Sequence, residues 1–178
     1  MEIESRTDRH ATRLKRLAIA GEFLAWGSFA VTVLGVVAAM MLPDMRGAWF
    51  ASLGVRLDAN PMIATVIAAI PAALFAFCLW EAATLFGALR GAVPFSSRAI
   101  SALVRLGWGA VATAVASIVS RMSLAYIASL GSADGSRALA ISLSSTDLGA
   151  LLVGILALVF ALVVAEARQL EYDARGIV

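Results

Sequence analysis

Residues 88–108 read ALRGAVPFSSRAISALVRLGW, a short basic break between two long apolar blocks. The fold follows from how this break is read. Gly91 supplies the conformational freedom that ends one helix, and Pro94 keeps the residue before it out of helical geometry. Ser96 is then placed to cap the next helix, with Phe95 just before the cap packing on Ile100 as a hydrophobic staple. Arg90, Arg98 and Arg105 mark the elbow as one that stays on the positive side of a membrane. The stretch therefore reads as the cytoplasmic hinge of a four-helix membrane protein.

Composition agrees with that reading. Of 178 residues 61% are hydrophobic and only 15% charged, whereas soluble domains run about 45–50% apolar and about 25% charged. The mean hydropathy is +0.91. A net charge of +2 is too small for nucleic-acid binding through bulk electrostatics, so no direct nucleic-acid contact is expected. The lone cysteine, Cys78, allows no internal disulfide and no multi-cysteine metal site, and reads as a small packed side chain.

Upstream of the hinge, residues 1–16 form a basic tail carrying Arg6, Arg9, Arg13, Lys15 and Arg16. The apolar run that follows, 17–42, is too long for a signal peptide, whose apolar region is about 7–15 residues, and suffices for the roughly 20 needed to cross a bilayer. It reads as a retained first helix. Pro43, Asp44 and Gly47 end it, and Trp49 suits headgroup level in the loop beyond. A second helix is expected over 61–89, opening on Pro61 and bent by Pro71 near Ile67. Such a bend serves as a gating joint in some transporters and is only shape in most membrane helices.

Downstream, a third helix is expected over 97–126. It is crowded with Gly107, Gly109, Ala110, Ala112, Ala114 and Ala116, which makes it the expected centre of a bundle. The GSADGS turn and the alternating ALAISLSS follow, the latter with strand-like periodicity. A fourth helix, 147–167, takes Asp147 as its N-cap, and residues 168–178 form a charged tail. The basic residues of the two tails and the hinge, Arg168 and Arg175 included, outnumber Arg46, Arg56, Arg121 and Arg137 of the other loops, ten to four. The expected architecture is thus all-α and integral to the membrane, with four transmembrane helices and both termini cytoplasmic.

Four charged groups are expected at one depth. Glu22, Glu81, Arg105 and Glu166 each lie near the hinge-side end of their helix, at the edge of the hydrocarbon layer when counted at about 1.5 Å per residue. The bland reading is interfacial pairing or snorkelling; the functional one is an ion or proton site centred on Glu81, set among LFAFCLW and AATLF. Arg121, about 24 Å further along the third helix, reads as an anchor at the opposite interface. Catalytic readings lack partners: His10 is the only histidine, and no GxSxG, Walker or GxGxxG motif occurs. No enzyme activity, cofactor or metal is expected.

With those residues in place, the hinge resembles that of the domain of unknown function 2975 family, small bacterial membrane proteins with four predicted helices. Phe95, Ser96, Arg98, Arg105 and Gly107 occupy the family's motif positions, with the Phe-to-Gly spacing matching and Trp108 following. The stretch AISLSSTDLGALLVG is similar to the family's approach to its last helix, and LEYDARGIV to its terminal box. Gly91 stands one residue further from the Phe than the pattern, and Asp173, Gly176 and Ile177 replace the usual Glu, Leu and Thr. The resemblance spans most of residues 17–178. It implies a multi-pass protein of the bacterial cytoplasmic membrane, with no established activity and a helix-turn-helix regulator as cytoplasmic partner. Two functions are therefore expected in order: a non-enzymatic membrane component of a regulatory pair, then a small transporter or channel subunit using intramembrane carboxylates. Besides the lipid bilayer and that partner, an oligomer is compatible with the small residues, which packing inside the bundle would equally use.

Overall fold

A computed structural model of the chain describes residues 2–42, 47, 61–91, 96–130 and 144–175. They form four long helices: α1 (Glu2–Met41), α2 (Pro61–Leu89), α3 (Ser97–Leu130) and α4 (Ser145–Arg175). Each contains a segment long and apolar enough to cross a membrane, namely Lys15–Met41, Met62–Leu89, Ser97–Ile127 and Ser145–Leu170. Trp49, Pro94 and Phe95, and with Phe95 the expected staple, lie outside the described residues, as does most of ALAISLSS.

The helices start and stop for local reasons. Leu42 donates to the Ala38 carbonyl at 2.8 Å, and Pro43 follows in the sequence. Ser96 caps α3 as expected, its Oγ accepting from the Ala99 amide at 3.4 Å and its carbonyl from Ile100 at 3.1 Å. Gly91 differs from expectation in mechanism. Its φ lies outside the left-handed range, and a Cβ there would stand 3.2 Å from the Ala88 carbonyl oxygen, so a close approach rather than a special dihedral favours glycine.

Four boundaries move outward, and α3, expected to end at 126, runs on to Leu130 with no Gly or Pro in between. The basic segment read as a tail is the first part of α1, because no Gly or Pro interrupts the chain from Glu2 to Ala20. The charged segment after 167 likewise continues α4 to Arg175, with Gly176 next in sequence. At its other end α4 begins at Ser145, and Asp147 is not the cap. Ser144 is the N-cap, its Oγ accepting from the Thr146 amide at 3.2 Å, while Asp147 Oδ2 reaches back to the Ser144 amide at 3.1 Å. This is a reciprocal capping box, the carboxylate standing three residues into the turn.

The helices pack in chain order, α1 on α2, α2 on α3 and α3 on α4, and α4 does not close back on α1 with comparable packing. The architecture is an open row rather than a closed bundle, and α2 shares the centre with α3. The seams are made of small side chains. Ala64, Ala68, Ala83, Ala99, Ala102 and Ala114 are buried, whereas Leu124 is the one large side chain fully enclosed among the described residues. Where α3 crosses α4, a Cβ at Gly107 would lie 3.0 Å from the Gly154 carbonyl oxygen, and one at Gly154 would lie 2.9 Å from that of Gly107. Each glycine admits the other helix's backbone, the close approach that lipid-exposed helices use in place of hydrophobic drive.

Pro71 does not interrupt α2. Lacking an N–H, it leaves the Ile67 carbonyl without its helical partner, and Ser120 Oγ on α3 donates to that carbonyl at 3.0 Å. The proline is thereby built into the central seam, a cross-helix bond replacing the missing one.

Candidate functional site

Of the four groups expected to form one polar layer, Glu22, Glu81 and Arg105 occupy two tiers. Glu81 is enclosed at the α2–α3 seam, its side chain 8% exposed, and Arg105 Nε stands 3.0 Å from its Oε1. The guanidinium is half exposed, at 51%. Glu22 instead pairs with Arg90 at the end of α2. The registers show why. Gly21 lies against the Phe86 ring, where a Cβ would come within 2.7 Å, and Trp26 packs edge-on to Trp80 at 5.1 Å between centroids. Glu22 is therefore level with residues around 85, and Glu81 lies about 6 Å deeper at about 1.5 Å per residue.

Glu166 joins neither tier: it is exposed and has no ion pair among the described residues. Its neighbour two positions on, Arg168, reaches Ser97 Oγ at 3.4 Å and so ties the end of α4 to the start of α3. Of the other hinge residues, Arg98 is exposed, Gly107 faces α4, and Ser96 serves the cap.

Glu81 has one unmet need. Its Oε2 is buried and without a hydrogen-bond partner among the described residues. Trp26, Phe29 and Trp80 form an edge-to-face cluster beside it on the α1 side, with centroids 5.1–5.9 Å apart. The second oxygen is thus held where an orphaned polar atom costs about 1–3 kcal/mol.

Sequence reasoning missed one pairing altogether. Arg121 is not a free anchor; it pairs with Asp147 across the α3–α4 seam, far from the hinge. The carboxylate is 4% exposed, and Arg121 Nε is buried without a partner. The signal was present in that Asp147 and Arg121 are the two charges nearest the same helix ends. Cys78 packs at the central seam, its Sγ 3.7 Å from Thr113 Oγ1. Among the described residues no three His, Cys, Asp or Glu side chains gather in a way that could hold a metal ion.

A family model described as "Protein of unknown function (DUF2975)" matches residues 48–175, well over half of the chain. The match takes in α2, α3 and α4 and leaves α1 outside, so it starts later than the likeness expected from residue 17. No curated protein and no solved structure matches.

Proposed function

The chain belongs to the DUF2975 family of proteins of unknown function, and from that premise we propose that it is a non-enzymatic, multi-pass component of the bacterial cytoplasmic membrane whose hinge end binds a cytosolic protein. The observation that supports this most is where uncommitted charge lies. Arg98 and Glu166 are exposed without an ion pair among the described residues, and the Arg168–Ser97 contact joins their two helices into one polar face. At the other end Arg121 and Asp147 are committed to each other. The excess of Lys and Arg on the hinge side and the tails supports a cytosolic position for that face. The partner implied by the family likeness is a helix-turn-helix regulator.

Photo-crosslinking from positions 98 and 166 in intact cells tests this reading. One discrete soluble adduct from both positions is expected, lost on Arg168→Glu. Lipid-only or unspecific adducts from both would refute it.

A second reading, a small transporter or channel subunit using intramembrane carboxylates, is favoured by the orphaned Glu81 oxygen alone. It requires ion flux in proteoliposomes that Glu81→Gln abolishes. Glu22, the other carboxylate expected to serve it, stands in a separate tier with Arg90.

A further inference from the structure

On one face of the α2–α3 seam an apolar groove of about 540 Å³ runs along α3, lined by Ile67, Ile70, Trp108, Val115, Val119 and Ser120 among others. Its two hydroxyls are already used: Ser120 donates to the Ile67 carbonyl and Ser123 to that of Val119 at 2.9 Å. The groove therefore suits hydrocarbon, and the donor its lining leaves over is the Trp108 indole N–H at the hinge end. From Trp108 to Val119 it extends about 16 Å at about 1.5 Å per residue, close to one leaflet of a hydrocarbon core of about 30 Å.

The groove continues into a basic stripe. Arg98, Ser101, Arg105, Trp108, Ala112, Val115 and Val119 follow one another at steps of three or four residues, and every one is exposed. They line one helical face. Arg105 spends Nε on Glu81, and no described residue bonds its terminal nitrogens; Arg98 has no ion pair among the described residues. With Glu81 balancing one of the two guanidinium groups, the hinge end of the groove carries a net positive charge.

We propose that this seam holds one anionic phospholipid, an acyl chain lying in the groove and the phosphate bracketed by Arg98 and Arg105, with Trp108 at the glycerol level. The inference rests on the reading that the helices cross a bilayer. An apolar helix from another copy or another protein would fill the groove equally well but would leave both arginines unmet. A phosphate meets them in the bidentate geometry that guanidinium favours.

The test reconstitutes the full chain in phosphatidylcholine vesicles doped with brominated phosphatidylglycerol or, in parallel, brominated phosphatidylcholine. The emission lost in Trp108→Phe isolates the reporter. Brominated phosphatidylglycerol quenches that emission preferentially, and Arg98→Gln, which leaves the Glu81 pair intact, lowers the preference roughly fivefold, the worth of one arginine near an anionic lipid surface. The double variant Arg105→Gln, Glu81→Gln strands no carboxylate and leaves the net charge unchanged, and it lowers the preference by less than Arg98→Gln because only the guanidinium donors to the phosphate are lost. Equal quenching by the two lipids, or a preference untouched by both variants, overturns the lipid site. Quenching by neither means that protein covers the groove and also overturns it. Failure of the wild type to float with vesicles removes the bilayer reading itself, a result distinct from all of these.

Discussion

Two enclosed carboxylates, Asp147 far from the hinge and Glu81 near it, are each paired with an arginine on α3, yet the pairs are built differently. Asp147 receives Arg121 and the Ser144 amide together, so one side chain joins two helices and closes a capping box. Glu81 receives Arg105 on one oxygen only, and its other oxygen is buried without a donor. At the far pair the orphaned atom is instead on the arginine, at Nε. An ion pair within an apolar helix row is thus no mark of function by itself. What distinguishes Glu81 is a buried oxygen without a donor beside a half-exposed cation, whereas Asp147 takes two donors on Oδ2 and has no buried orphan.

The contrast sets an order of effects. Asp147→Ala breaks the return bond of the capping box and strands a largely buried guanidinium, and the loss of stability expected is about 3–5 kcal/mol, read as a fall in the unfolding midpoint in mild detergent. Arg105→Met strands Glu81, but because the arginine is half exposed and water reaches it, the loss expected is nearer about 2 kcal/mol. Equal losses for the two would erase the distinction between the pairs. Ser120→Ala orphans the Ile67 carbonyl that Pro71 freed, for about 1–2 kcal/mol; restoring the amide with Pro71→Ala in the same chain should recover most of it. Glu81→Gln removes the buried charge while its amide oxygen still accepts from Arg105, and is expected to cost less than about 1 kcal/mol, as is Glu22→Gln at the more exposed Arg90 pair. A larger loss at Glu81 than at Asp147→Asn would show that Glu81, not Asp147, is the structural carboxylate.

Much of the local structure was legible because it depends on near neighbours. The four apolar runs, the Ser96 cap and the role of glycines along α3 as packing surfaces follow from residue type and spacing. Charge does not mark the outer ends of α1 and α4, because neither segment contains a helix breaker until Gly176 and both stay helical. At α4 Asp147 is a good cap by residue type, yet the Ser144 hydroxyl takes the cap because it sits one turn earlier and Asp147 serves it from inside. The polar layer was half legible. Counting along each helix found the right charges near the right end but assumed a common register, and the Gly21–Phe86 and Trp26–Trp80 contacts shift α1 so that Glu22 meets Arg90.

The amino-acid order alone determined the four long apolar helices seen among the described residues, where their apolar stretches lie and that a basic elbow separates the central two, since helix formation and hydropathy are read within a few turns of chain. Only tertiary structure decided that the helices stand in an open row, that Ser120 answers Pro71 and that Arg121 meets Asp147. Those outcomes depend on which small residues face each other across a seam and by how many ångströms one helix slides along the next. A slide of a few residues changes every cross-helix partner while leaving each helix, taken singly, unaltered.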